Sequence, residues 1–197
     1  MKYLFLLAAT LWGSAALAGP LEDLERFRQS EAGLSMAFVQ TLRGADGAVL
    51  ERQEGRLEIL PPNRFVWKYL SPYAAEFGSN GVLLWHWDQD LAQITVRDAQ
   101  ASVRGTPLAI LLDRENALPV EATSEGWLRW LPQGESAQFA QMRLRMNARA
   151  PERIELVDVL DQRTDIVFTD LRMPDPKVDP RYPDVGADTL VVDERSR

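Results

Sequence analysis

The chain has 197 residues, 46% of them hydrophobic, with 22 basic side chains against 29 acidic ones and no cysteine. The net charge of −7, with no Lys/Arg-rich run to offset it, excludes nucleic acid as a partner and discourages adhesion to anionic lipid headgroups. Without cysteine there is neither a disulfide framework nor an acceptor for an N-terminal lipid, so packing must hold the fold together.

Residues 1–18 have the pattern of a secretory signal. Met1-Lys2 is a short positive start, Tyr3 to Leu11 is almost wholly apolar, and Ala16-Leu17-Ala18 offers small residues at both positions a signal peptidase reads. Nothing long and apolar follows, so a removable signal is expected rather than an anchor. Residues 19–197 are then a single soluble domain, expected as a monomer in the periplasm.

Pro20 to Gly33 predicts a helix of about three turns, with Leu21, Leu24 and Phe27 on one face. Beyond it the period switches to two. Met36, Phe38 and Gln40 alternate with Ala37, Val39 and Thr41, and Gly44 to Gly47 closes a hairpin. Leu50 to Leu60 alternates again, and Pro61-Pro62-Asn63 breaks it. Arg64 to Leu70 places Phe65, Trp67 and Tyr69 on one face. Ala74 to Gly78, a turn at Asn80-Gly81, Val82 to Trp87 and Ala92 to Arg97 continue what reads as an antiparallel meander that curls.

Thr106 to Leu112 interrupts the strands. It has an N-cap, a proline at the first helical position and a greasy turn and a half, which suits either a short core helix or a lid over a cavity. Strands follow at Trp127 to Leu131, Phe139 to Met146, Ile154 to Leu160, Asp165 to Met173 and Thr189 to Val192.

No constellation for catalysis is present. The single histidine, His86, sits between Trp85 and Trp87, as a packed or surface residue does, and a zinc site or Ser-His-Asp triad needs more than this. Asp88/Asp90 and Asp158/Asp161 occupy hairpin ends, where Asp forms turns. No cofactor, metal or catalytic residue is expected, and the chain does not read as an enzyme. The positive signal is apolar: one greasy face per strand, over roughly ten strands, is enough inward surface to enclose a ligand. From parity and helix spacing, Tyr69, Leu111 and Leu112 belong to that lining.

Pro62-Asn63-Arg64-Phe65-Val66-Trp67 resembles the R-P-x-x-F-x-W motif of the LolA family, periplasmic carriers of outer-membrane lipoproteins. The likeness continues in order through Ser71-Pro72, Ser79-Asn80-Gly81, Leu84-Trp85, Gln93-Ile94-Thr95-Val96, Thr106-Pro107 and Asp161-Gln162-Arg163-Thr164. It implies a mainly β fold: an unclosed antiparallel barrel with an N-terminal helix and a helical lid over an apolar cavity. It matches Phe65 and Trp67 to the wall of the acyl-chain cavity, where Tyr69 and Trp85 are expected beside them, and Leu108 to the lid, which Leu111 and Leu112 are expected to share. The implied cargo is the acylated end of lipoproteins, received from an inner-membrane ATP-driven transporter and delivered to an outer-membrane lipoprotein receptor.

Two departures stand out. The family motif opens with an Arg that holds the lid shut, and Pro61 stands there instead; Arg64 falls opposite Phe65 by parity. The family's C-terminal F-x-F and P-x-G are blurred into Tyr182-Pro183-Asp184-Val185-Gly186. A divergent relative carrying another lipid or a glycolipid, or a periplasmic sensor with the same half-barrel, would share the remaining features.

Overall fold

In the computed structural model the described residues are 19–60, 63–99, 107–112, 119–131, 139–174 and 183–195. They form two helices, α1 (Pro20–Gln29) and α2 (Pro107–Leu112), and one twelve-stranded sheet. The strands are β1 (Leu34–Arg43), β2 (Val49–Leu60), β3 (Arg64–Ser71), β4 (Ala75–Ser79), β5 (Leu83–Asp88), β6 (Gln93–Asp98), β7 (Glu121–Ala122), β8 (Trp127–Trp130), β9 (Phe139–Met146), β10 (Pro151–Asp158), β11 (Arg163–Arg172) and β12 (Leu190–Asp193). Their order is β12-β6-β5-β4-β3-β2-β1-β11-β10-β9-β8-β7, and the terminal strands β12 and β7 are not paired with each other. The sheet is an unclosed half-barrel.

Within β1 to β6 and within β7 to β11 each strand pairs antiparallel with the next. At Asn80-Gly81 the Asn80 Oδ1 accepts from the amides of Val82 and Leu83, and Gly81 takes a φ of 90°, which a side chain would resist. The two blocks of strands are joined by β1 and β11, where Phe38 stands opposite Phe168. One pairing departs from the expected antiparallel meander: β12 lies parallel to β6, Val191 opposite Ile94, so the sheet gains an edge strand from far along the chain.

Cross-strand partners share a face of the sheet. Tracing them from Phe38 gives the inner face: Met36, Phe38, Leu57, Phe65, Trp67, Leu128, Met142, Leu144, Ile154, Ile166 and Phe168, all buried in one cluster with Leu24 of α1 and with Ile110, Leu111 and Leu112 of α2. The outer face of β3, β5 and β6 forms a second cluster of Val66, Trp85, Ile94 and Val96, against which Val185 packs.

Helix α1 is shorter than its pattern predicts. It ends at Gln29, with Ser30 already extended at ψ 131°. Gly33 lies in the connection instead, where a Cβ would sit 3.0 Å from the carbonyl oxygen of Ile59 and 2.7 Å from Pro174. The acidic Glu22 and Asp23 open the helix and the basic Arg26 and Arg28 close it, which suits its dipole.

Candidate functional site

The inner face is built from aromatic side chains that lock one another in place. Phe38 and Trp67 rings lie 4.9 Å apart, Phe38 meets Tyr69 edge-on at 5.3 Å, and Trp67 meets Phe168 edge-on at 6.1 Å. Tyr69 continues the chain to Phe77, which stacks flat on His86 at 4.1 Å. Such contacts add about 0.5–1.5 kcal/mol each beyond simple burial. Gly55, opposite Phe38, permits this packing: a Cβ there would lie 2.6 Å from the Phe38 ring and 2.0 Å from the Lys68 carbonyl oxygen.

Phe65, Trp67 and Tyr69 therefore come together on the inner face, as their spacing predicts. Trp85, expected with them, does not. Its partners are Gly78 and Val96, which puts it on the outer face, fully buried in the second cluster with its Nε1 donating to Glu76 Oε1 at 3.1 Å. A Cβ on Gly78 would be 2.2 Å from the Trp85 ring, so the indole lies flat against a strand only glycine can provide. The inner-face residue next to it on β5 is His86.

Leu111 and Leu112 are buried against the inner face, and Leu108 packs on it while half-exposed. Thr106 and Pro61 lie outside the described residues. Arg64 pairs with Leu60, on the face opposite Phe65. The guanidinium that reaches α2 comes from α1: Arg28 donates from Nε and Nη2 to the Ile110 carbonyl oxygen at 3.0 and 2.7 Å, while its Nη1 donates to Glu25 at 2.8 Å. The last carbonyls of a helix have no partner within it, and a cation there also meets the negative end of the dipole. Arg28 itself is 4% exposed. The spacing Leu24-to-Arg28, one helical turn, was the available signal for placing it on the buried stripe.

Two gaps lined by described residues are small. One of about 20 Å³ lies between α1, α2 and Ile59, room for a single water. Another of about 210 Å³ opens where the Asn147–Ala150 turn meets the end of β11, with Met36 and Phe168 as its inner wall. Both fall below the roughly 300–1,000 Å³ usual for a ligand pocket. Around α2 the described side chains of the inner face pack on one another.

Toward the Gly44–Ala48 hairpin the face changes character. Tyr69 Oη donates to Gln40 Oε1 at 3.2 Å, and Gln40 Nε2 donates to Gln53 Oε1 at 3.0 Å. Burial, reinforced by the Glu51 carboxylate, pushes the Tyr69 hydroxyl up to about 12, with the Gln40 and Trp67 contacts acting against it. Burial also holds His86 below the usual imidazole value, the charge of Asp88 opposing and that of Arg97 adding to the shift. Among the described residues no cluster of His, Asp and Glu could hold a metal ion, and no helix is long and apolar enough to cross a membrane.

A family model described as "Outer membrane lipoprotein carrier protein LolA" matches residues 29–180, starting one residue after Arg28. An outer-membrane lipoprotein carrier protein of Xanthomonas campestris is 32% identical over 193 residues, covering 93% of this chain and 88% of its own. One from Ralstonia nicotianae is 30% identical, covering 85% and 83%. Among solved structures, an uncharacterized conserved protein from Thermus thermophilus aligns with a TM-score of 0.54 at 17% identity, covering 88% of this chain and 96% of that one. A LolA superfamily protein from Nitrosomonas europaea aligns at 0.50 and 12% identity, covering 79% and 92%. These structures share the fold.

Proposed function

The chain belongs to the outer membrane lipoprotein carrier protein family, LolA, and from that membership we propose that it is a periplasmic carrier that takes up the acyl chains of lipoproteins released from the inner membrane and delivers them to an outer-membrane receptor. The observation that supports this reading is the dry inner face, into whose core a six-residue helix tethered by Arg28 packs its leucines. Burial of acyl methylenes, about 0.8 kcal/mol each, would make an open cavity of this kind bind almost irreversibly. Here a chain must first displace Leu111, Leu112 and the aromatic packing beneath them. That self-filling lowers net affinity and lets cargo leave for a better site. In the same reading a transporter on the inner membrane loads the carrier and a receptor unloads it, with the protein acting as a monomer.

The test is release of labelled lipoprotein from spheroplasts by the purified protein. A soluble one-to-one complex is expected. No release, while an authentic carrier succeeds in parallel, would reject the lipoprotein role and favour a relative serving another lipid or a sensor.

A further inference from the structure

Along the barrel axis the inner face divides into two zones. Beneath α1 and α2 it is dry: Met36, Phe38, Leu57 and Phe65 are at most 1% exposed. Toward the Gly44–Ala48 hairpin the same face carries Gln40, Gln53, Tyr69, His86 and Thr95, all half-buried. Gln40 stands opposite Gln53 on β1 and β2, and three strands further on His86 stands opposite Thr95 on β5 and β6. The Tyr69–Phe77–His86 ring stack bridges the two pairs.

Hydrogen bonds within this belt already engage both of its amide oxygens. Gln40 Oε1 takes the Tyr69 hydroxyl and Gln53 Oε1 takes the Gln40 amide. The second N–H of Gln40, both of Gln53, the imidazole of His86 and the Thr95 hydroxyl remain for a ligand, and all can donate. A half-buried group of donors just above an apolar floor suits a ligand whose greasy end is followed by carbonyl oxygens. The charges on this face of β1 to β6 are the carboxylates of Glu51 and Asp88 and the guanidinium of Arg97, which is already tied to Glu194 at 2.6 Å. Among the described residues no further cation lies on this face to receive a carboxylate, and Glu51 and Asp88 repel one.

We infer that Gln40, Gln53, Tyr69, His86 and Thr95 form a subsite for the ester- and amide-linked head of an acylated ligand, which orients it with its chain ends under α2 and selects it over free fatty acid. This deepens the carrier reading and rests on it. Donor contacts of this kind add modestly to affinity, but they discriminate sharply against a ligand that leaves them unpaired.

The test uses three ligands with one chain each: methyl palmitate, palmitate and hexadecane, supplied from cyclodextrin and measured by displacement of a neutral fluorescent alkyl probe. The ester is expected to bind best. In a Gln40→Leu/Gln53→Leu variant the ester should lose about tenfold and hexadecane should be unchanged. Glu51→Gln should improve palmitate alone. A Gln53→Leu single variant, with a smaller loss in the same direction, serves if the double variant melts early. Equal binding of ester and hexadecane by the parent protein, or equal losses for both in the variant, would overturn the subsite while leaving the carrier reading in place. Failure of all three ligands to displace the probe would reject both.

Discussion

Arg28 and Ile110 lie far apart in sequence, yet two nitrogens of the one converge on the carbonyl oxygen of the other, at 3.0 and 2.7 Å. This joins α1 to α2, whose Ile110, Leu111 and Leu112 are buried in the same core cluster as Leu24. Arg28→Ala removes both bonds and leaves a buried oxygen without its donors, at a cost of about 1–3 kcal/mol. Arg28→Lys keeps the charge without the fork and should fall between. Hydrogen exchange at the amides of residues 108–112 should quicken in both, and uptake of an acyl probe should accelerate. Unchanged exchange in Arg28→Ala would show that α2 is held by its leucines alone.

Gly78→Ala tests the outer cluster. Its Cβ would stand 2.2 Å from the Trp85 ring, and that ring is fully buried with Val66, Ile94 and Val96 around it. Overpacking of this type costs roughly 1–3 kcal/mol or more. A fall in the denaturation midpoint with no change in the affinity for acyl probes is expected, because the inner face is untouched.

Much of this architecture is legible in the alternation of apolar residues. The Phe65-Trp67-Tyr69 face, the Asn80-Gly81 hairpin and the greasy helix after Pro107 all stand where local pattern puts them. What resists reading is whatever depends on which strand lies beside which. Trp85 has the right parity for some face, but only the pairing Val66–Gly78–Trp85 across two turns decides that it is the outer one. Arg28 follows Leu24 by one turn on α1, and an arginine at such a place ordinarily reaches for water. That it stays buried follows from the Ile110 carbonyl oxygen of α2, which local sequence does not bring near. The parallel docking of β12 escapes for the same reason.

Alkali should find Tyr69. Its hydroxyl titrates near 12 in the fold against 10.0 for an unperturbed tyrosine, so the folded state holds the proton more tightly. Its contribution is complete below pH 10 and is lost as pH rises from 10 toward 12, by up to about 2–3 kcal/mol. Tyr69→Phe should flatten that limb of the stability curve. Equal alkaline losses in both proteins would assign the effect to other groups.

Leu108 offers a separation of binding from folding. It packs on the core while remaining half-exposed, so a glutamate there can keep its charge in water without unfolding the sheet. Leu108→Glu should keep its melting temperature to within a few degrees and lose affinity for acyl probes. Full binding by this variant would take α2 out of the ligand's path.

The two pairings that complete the sheet both join distant parts of the chain, β1 to β11 and β6 to β12. The hairpins can zip locally, but neither seam can close until a strand from the far side of the sequence arrives, and such closures are slow. Until those strands arrive, β1 and β6 are bare edges, each an invitation to the wrong neighbour. The half-barrel is therefore most exposed to mispairing during its own assembly, while its two seams are still open.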